Sequence, residues 1–142
     1  MFLTPITLFY ASLLSFVYVT LLLLVVRLRH QYKIAYGDGD NAPLRSRIRA
    51  HANFAEYVPM LLIFLLLGEL NGLPASAIHG FGSTIVGARM AHAYGHIIGE
   101  HTKPPSYKGR FYGTLVTLLL YFTACLSALA LAMVSFFADK SL

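Results

Sequence analysis

The chain of 142 residues is 57% hydrophobic and only 12% charged. Soluble domains carry about twice that share of charged residues, so the composition excludes an ordinary soluble domain. The net charge of +5 does not indicate nucleic-acid binding, because the Lys and Arg residues lie at the ends of apolar runs, where they set membrane topology. A single cysteine, Cys125, excludes a disulfide framework within one chain.

Three uncharged stretches indicate a polytopic membrane protein: Met1–Val26, Leu70–Ala88 and Phe111–Ala138. Each reaches the roughly 18–20 residues that cross the hydrocarbon core of a bilayer. The first stretch has no basic segment before it and is too long for the apolar part of a signal peptide, so we expect it to be a membrane helix.

Four helices are predicted in chain order, over residues 3–29, 44–70, 74–100 and 111–137, with short loops between them. Gly, Asp, Asn and Pro residues mark these loops. The fold class is therefore all-α, a compact membrane four-helix bundle in one domain over residues 1–142. In the third helix, small residues allow neighbouring helices to approach closely: Gly80, Gly82, Gly87 and Gly95.

The distribution of Lys and Arg predicts the orientation of the bundle. The first loop and its flanks hold six such residues, the third loop and its flank hold three, and the second loop holds none. Because basic loops remain in the cytoplasm, we expect loops one and three there and both termini outside.

The second helix begins with the strongest functional signal. Arg49, Asn53 and Glu56 follow one another at spacings of four and three residues, so they share one narrow helix face, with Tyr57 at its edge. Charged groups in a membrane helix are costly and usually face the bundle interior or a wet cavity. The alternative is that Glu56 pairs with a nearby arginine and only holds helices together.

The third helix carries a second polar stripe, formed by Arg89, His92, His96 and Glu100. Two imidazoles and a carboxylate at this spacing are also compatible with a metal site. Histidines in membrane helices more often form hydrogen bonds between helices, and Arg89 would repel a cation, so no metal ligands are predicted.

The cytoplasmic ends of the four helices are expected to form one polar pocket in which guanidinium groups outnumber carboxylates. Such a pocket suits a small anion that also carries an ammonium group, which Glu56 would bind. Arginine binds carboxylates with two parallel hydrogen bonds. A nearby arginine also favours the thiolate form of a thiol, which is the nucleophilic form.

The segment from Arg47 to Pro59, RIRAHANFAEYVP, resembles the helix-two signature of the MAPEG family, the membrane-associated proteins in eicosanoid and glutathione metabolism. The continuation from Gly68 to Gly72, GELNG, is similar to the small bacterial members. The resemblance implies a homotrimer in the bacterial inner membrane, with glutathione bound as co-substrate between neighbouring subunits and a lipophilic second substrate reaching it from the membrane lipids.

The resemblance also implies roles for individual residues. Arg49 and Asn53 would contact the backbone and carboxylates of glutathione, and Glu56 would hold its ammonium group. Arg110, at the entrance to the fourth helix, would stabilise the thiolate as the catalytic residue. The remaining implied glutathione contacts are Arg27, Tyr57, His92 and His96, the last at a position where catalytic relatives usually carry tyrosine.

Three functional hypotheses follow from these observations. The first is a glutathione transferase or peroxidase acting on lipophilic electrophiles. The second is a non-catalytic membrane protein that binds a lipid or an anionic small molecule in the same pocket. The third is a proton or metal relay, although four short helices lack the inverted repeats and broken helices of carriers.

Overall fold

A computed structural model describes residues 3–139 as four α-helices and one short 3₁₀ helix. The helices are α1 (Pro5–Tyr32), α2 (Ala42–Leu70), α3 (Ala75–Ile97) and α4 (Lys108–Asp139), with the 3₁₀ helix at Gly99–His101. The predicted all-α architecture with four helices is confirmed. Residues 1–2 and 140–142, at the two termini predicted to lie on the side of the membrane away from the cytoplasm, are not among the described residues.

Helices α1, α2 and α4 are each long and apolar enough to cross a membrane, so the chain is an integral membrane protein. Helix α3 is not one of these candidate spans, because glycine, serine, histidine and arginine residues dilute its apolar character. Its 23 residues extend about 34 Å at the usual helical rise, close to the thickness of the hydrocarbon core. The fourth crossing stays a prediction.

A carboxylate at the end of α2 caps the beginning of α1. The backbone N–H groups of Ile6 and Thr7 donate to Glu69 Oε1 and Oε2 over 2.9 and 2.7 Å. First-turn N–H groups have no partner within their own helix, and a negative charge there is favourable. This contact therefore fixes the start of α1 against the end of α2.

The loop between α1 and α2 is held by side-chain contacts at the opposite end of the bundle. Asn41 caps α2 by accepting a hydrogen bond from Leu44 N over 2.9 Å, as a helix N-cap does. Arg29 donates to three loop carbonyls, including that of Ala35 at 3.0 Å. The hydrogen bond that Arg45 Nε donates to Asp38 Oδ2 lowers the pKa of that carboxyl below its ordinary value.

Two glycines of α3 allow neighbouring helices to approach, as predicted. A Cβ atom at Gly82 would overlap the Tyr10 ring of α1, and one at Gly95 would overlap the backbone nitrogen of Arg110 in α4. Around Gly80 and Gly87, in contrast, no atom of the described chain lies within 4 Å of an added Cβ. Within the described part of one chain these two positions pack against no neighbouring helix, so their role in close approach stays a prediction.

The third helix ends earlier than predicted, at Ile97 instead of Glu100. The chain turns at Gly99, whose carbonyl accepts hydrogen bonds from Ser106 N and from the Thr102 hydroxyl, both over 2.8 Å. A Cβ atom at Gly99 would lie 2.6 Å from the Ser106 carbonyl oxygen. This turn places Glu100 on the 3₁₀ helix, between the end of α3 and the start of α4.

The buried core runs between α1, α2 and α3, and its largest cluster includes Leu14, Leu21, Phe54, Leu61 and Ile85. By contrast, most apolar side chains of α4 are exposed. Apolar exposure of this kind is expected where a helix faces lipid or another subunit, because neither environment penalises apolar surface.

Candidate functional site

A polar pocket of about 460 Å³ opens where α2 begins, α3 ends and α4 begins. Its lining residues are Arg45, Ser46, Arg49, Asn53, His92, His96, Glu100, Arg110 and Thr114. The structure thus brings together five of the eight residues predicted for the site: Arg49, Asn53, His92, His96 and Arg110. Loops one and three, the two basic loops, lie at this same end of the bundle.

Helix α2 contributes Arg49 and Asn53, which lie one turn apart. The Asn53 amide nitrogen donates to the Arg49 carbonyl over 2.9 Å, which leaves the Asn53 amide oxygen as its acceptor for a ligand. The Arg49 guanidinium forms no ion pair with any described residue and is exposed at the pocket. Together these groups offer a positive charge and a hydrogen-bond acceptor on one helix face.

Helix α3 contributes two buried histidines, His92 and His96, which are 3% and 6% exposed. Their rings meet edge to face, with centroids 4.9 Å apart. The start of α4 lies directly against them, because Gly113 brings its backbone so close that an added Cβ would lie 2.7 Å from the His92 Cβ. Buried imidazoles of this kind can donate or accept a hydrogen bond.

Glu100 joins the 3₁₀ helix to both neighbouring helices. Arg110 Nη1 donates to Glu100 Oε1 over 2.6 Å, and His96 Nδ1 lies 3.2 Å from the same oxygen. The angle between His96 and Glu100 is not that of a hydrogen bond, so His96 Nδ1 is buried without a hydrogen-bond partner among the described residues. The predicted catalytic residue, Arg110, is therefore already paired with a carboxylate of its own chain, Glu100.

Arg89 lies in the core behind the pocket and is only 1% exposed. It donates to the Thr117 hydroxyl over 3.3 Å, and its Nη2 lies 3.4 Å from His92 Nδ1. The guanidinium also lies over the Phe54 and Tyr57 rings, 5.9 and 5.4 Å from their centroids, a favourable cation–π arrangement. Arg89 thus supports the back of His92 and does not line the pocket.

The other three predicted site residues do not line the pocket. Glu56 is exposed on α2, and Arg27 is exposed near the end of α1. Tyr57 is half-buried, and its carbonyl accepts a hydrogen bond from the Tyr121 hydroxyl over 2.6 Å. Glu56 lies on the same α2 face as Arg49 and Asn53, but within one chain it is exposed outside the pocket that those two residues line.

Four lining residues were missing from the predicted set: Arg45, Ser46, Glu100 and Thr114. Arg45 lies four residues before Arg49, so extending the same helical spacing backward would have found it. Glu100 was visible as the end of the α3 polar stripe, but its contact with Arg110 depends on the turn at Gly99. Nothing in the sequence around Thr114 separates it from other residues of α4.

The described residues contain no group of three or more His, Cys, Asp or Glu side chains placed to hold a metal ion. The histidines of the α3 stripe instead face arginines: Arg89 lies beside His92, and Arg110 shares the Glu100 carboxylate with His96. The pocket therefore suits an anionic ligand better than a cation.

A second cavity, of about 550 Å³, lies at the opposite end of the bundle between α2, α3 and α4. Apolar and small side chains line most of it, among them Phe64, Leu65, Ile78, Phe81, Ala128 and Leu131. It provides an apolar groove that is separate from the polar pocket.

Comparison with known proteins gives three findings. The family model described as "MAPEG family" matches residues 7–130. Curated proteins named "Inner membrane protein YecN", from Escherichia coli K12 and from Escherichia coli O6:H1, are each 44% identical over 71 residues. That match covers 50% of this chain and 54% of each relative, so the chain spans about half the length of the curated relatives it matches. No solved structure matches the chain.

Proposed function

Because the chain belongs to the MAPEG family, we propose that it binds glutathione in the polar pocket and transfers it to lipophilic electrophiles. The bacterial inner membrane is the proposed location, since the curated relatives carry that location in their names. The observation that carries the proposal is the pocket itself, which gathers arginines, histidines and an asparagine at one end of an otherwise apolar bundle.

The charges of the pocket support an anionic peptide ligand. Three arginines line it, and two of them are paired with carboxylates: Arg45 with Asp38 and Asp40, and Arg110 with Glu100. Arg49 has no carboxylate partner among the described residues, so its charge is available to an anion. Glutathione carries two carboxylates, and guanidinium groups bind carboxylates with paired, charge-assisted hydrogen bonds. The Asn53 amide oxygen can accept a hydrogen bond from a peptide N–H group of the ligand.

We also propose a homotrimer, because one chain leaves part of the predicted site uncovered. Glu56 is exposed on a helix long and apolar enough to cross a membrane, and a charge facing lipid at that depth is costly. A neighbouring copy packed on this face of α2 would cover Glu56 and bring it to a ligand bound between subunits. In that arrangement Glu56 binds the glutathione ammonium, while Arg27 and Tyr57 complete the binding site.

The proposed chemistry is attack by the glutathione thiolate on an electrophile that enters from the lipid. The sulfur forms a bond to the electrophilic carbon, and the leaving group departs with its electron pair. Arg110 supplies positive charge near the thiolate, and Tyr57 or His96 can donate a proton to a developing oxyanion. The apolar exposed surface of the bundle gives lipophilic molecules access from the membrane.

A second candidate function is non-catalytic binding of a lipid or an anionic small molecule in the same pocket. The contact between Arg110 and Glu100 favours it, because an arginine already paired with a carboxylate attracts a thiolate less strongly. This candidate retains the role of Arg49 in anion binding but requires no thiol activation.

A glutathione titration of the detergent-purified protein tests both candidates. Calorimetry measures binding, and ultraviolet absorbance measures thiolate formation. Saturable binding with a thiolate signal supports the transferase. Binding without that signal favours the non-catalytic protein, and absence of binding contradicts the use of glutathione. Native mass spectrometry of the same sample tests the homotrimer, which must appear at three times the mass of the chain.

A further inference from the structure

One carboxylate oxygen of Glu100 lies within contact distance of two basic side chains from different helices. Arg110 Nη1 is 2.6 Å from Oε1, and His96 Nδ1 is 3.2 Å from the same atom. The side chains of His96 and Glu100 are 8% and 19% exposed, so water screens their interaction only weakly. His96 and Glu100 are thus the acid and base groups of the polar pocket that lie within contact distance of each other.

The arrangement leaves one nitrogen of His96 for a ligand. Its Nδ1 is buried on the side of Glu100, and the ring lines the pocket, so Nε2 is the nitrogen that a bound molecule can reach. A neutral imidazole with its proton on Nδ1 presents a lone pair at Nε2. The negative charge of Glu100, 3.2 Å from Nδ1, electrostatically stabilises the imidazolium formed when Nε2 accepts a proton.

We propose that His96 is the general base that removes the thiol proton of glutathione and that Glu100 is its positioning residue. This inference rests on the function proposed above and adds the destination of the proton, because the Arg110 guanidinium is always protonated and cannot accept one. Arg110 then has a second role, which is to hold Glu100 in place through its 2.6 Å hydrogen bond.

The step balances within the site. The S–H bond breaks, its electron pair stays on sulfur as the thiolate, and the proton forms an N–H bond at His96 Nε2. When the thiolate attacks a carbon that bears a leaving group, the C–S bond forms and the leaving group departs with its electron pair. When the electrophile is an unsaturated carbonyl compound, the His96 imidazolium returns the proton to the enolate.

The charges around His96 come from every element that borders the pocket. Arg49 approaches from α2, His92 lies on α3, Glu100 lies on the 3₁₀ helix and Arg110 lies on α4. The Glu100 carboxylate is the one negative group among these lining residues. Removing it is therefore expected to disfavour an imidazolium at His96 more than any other single change in the pocket.

A proton count during glutathione binding tests this assignment. In a weakly buffered detergent solution, an indicator dye measures protons released while ultraviolet absorbance measures thiolate formed. If His96 takes the proton, thiolate forms with almost no proton released. If Arg110 stabilises the thiolate without a base, about one proton is released for each thiolate, because the ionised thiol gives its proton to the solvent.

The variants His96→Gln and Glu100→Gln sharpen the test, with His30→Gln as the matched control because His30 is exposed at the end of α1. We expect His96→Gln to lower kcat with chlorodinitrobenzene by about 10²–10⁴-fold, the usual contribution of a general base, a larger effect than the change in KM for glutathione. Glu100→Gln should also lower kcat, and Glu100→Asp, which keeps the carboxylate, should retain part of the kcat that Glu100→Gln loses. Retained glutathione binding by calorimetry shows that each variant is folded.

The outcomes separate this proposal from the one on which it rests. Absence of glutathione binding to the unaltered protein overturns both. Binding with a thiolate and one released proton overturns only the role of His96, as does unchanged turnover in His96→Gln. Binding without any thiolate overturns the role of His96 and favours the non-catalytic protein. Thiolate formation without proton release, together with loss of turnover in His96→Gln and Glu100→Gln, supports the assignment.

Discussion

At the residue scale, Arg110 shows that a side chain can occupy its predicted place and still differ in its surroundings. The resemblance implies an arginine available to a thiolate, whereas the structure gives this arginine a carboxylate partner, Glu100, 2.6 Å away. The pairing of Arg110 with Glu100 lowers the positive electrostatic potential that a ligand meets at this end of the pocket. Arg45 is likewise paired, with Asp38 and Asp40, so Arg49 of α2 is the stronger attraction for an anion.

Glu56→Gln tests the proposed ammonium contact. A hydrogen bond to a charged group contributes about 1.5–3 kcal/mol, so this change should weaken glutathione affinity roughly 10–100-fold, as measured by calorimetry. Glu69→Gln is the matched control, because Glu69 lies at the opposite end of α2 against the start of α1. Unchanged affinity in Glu56→Gln would contradict the contact and with it the need for a covering subunit.

Asp38 makes the first loop sensitive to acid. Arg45 lowers the pKa of this carboxyl in the folded protein, so the contact stabilises the loop above the ordinary Asp pKa of about 3.9. That contribution is lost as the pH falls through the lowered folded pKa. We expect the NMR signal of the Arg45 Nε–H group to shift in this acidic range, and the shift should be absent in Asp38→Asn. A signal that moves equally in both proteins would contradict the pairing.

At the scale of the elements, the pocket depends on the close crossing of α3 and α4. Gly95 lies against the backbone of Arg110, and Gly109 lies so close to α3 that an added Cβ would be 2.7 Å from the Ala91 carbonyl oxygen. Close backbone approach through small residues is a recurrent way of joining helices in lipid. Here it sets the distance from the α3 histidines to Arg110.

Gly95→Ala should therefore disrupt both the packing of α3 against α4 and the geometry of the polar pocket. An added methyl group must displace backbone, which typically costs about 1–3 kcal/mol, so we expect a lower melting temperature in detergent and a weaker glutathione thiolate signal. Gly87→Ala is the matched control on the same helix, since no atom of the described chain lies within 4 Å of the added Cβ. Equal melting temperatures for the two variants would contradict the close contact of α3 with α4 at Gly95.

At the scale of the whole molecule, the polar pocket and both basic loops lie at one end of the bundle, and the apolar cavity lies at the other. A ligand pocket on the cytoplasmic side would be open to cytoplasmic thiols, whereas one on the outer side would not. Orientation in the membrane therefore bears directly on the proposed function, and the basic loops predict it.

Cysteine labelling of intact cells tests this orientation. In a Cys125→Ser background, we expect a membrane-impermeant thiol reagent to label Asn71→Cys, in the second loop, and to spare Tyr36→Cys, in the first loop. Both positions are exposed in the structure, so both should react after lysis. The opposite pattern in intact cells would place the pocket outside and exclude cytoplasmic glutathione as its ligand.

The sequence alone determined the class of the molecule and much of its site. Apolar runs predict the helices because length and hydrophobicity alone decide whether a segment can cross lipid. The spacing of Arg49 and Asn53 predicts a shared face because helical periodicity is local. In α3 the same periodicity places His92 beside His96.

Only the tertiary structure decided which groups meet across elements. The contact of Glu100 with Arg110 depends on the turn at Gly99, which ends α3 three residues before the predicted boundary. The burial of Arg89 and the exposure of Glu56 depend on which faces of the helices pack together. Helix periodicity defines a face, but it does not say what covers that face, because covering it requires contacts between residues distant in the chain.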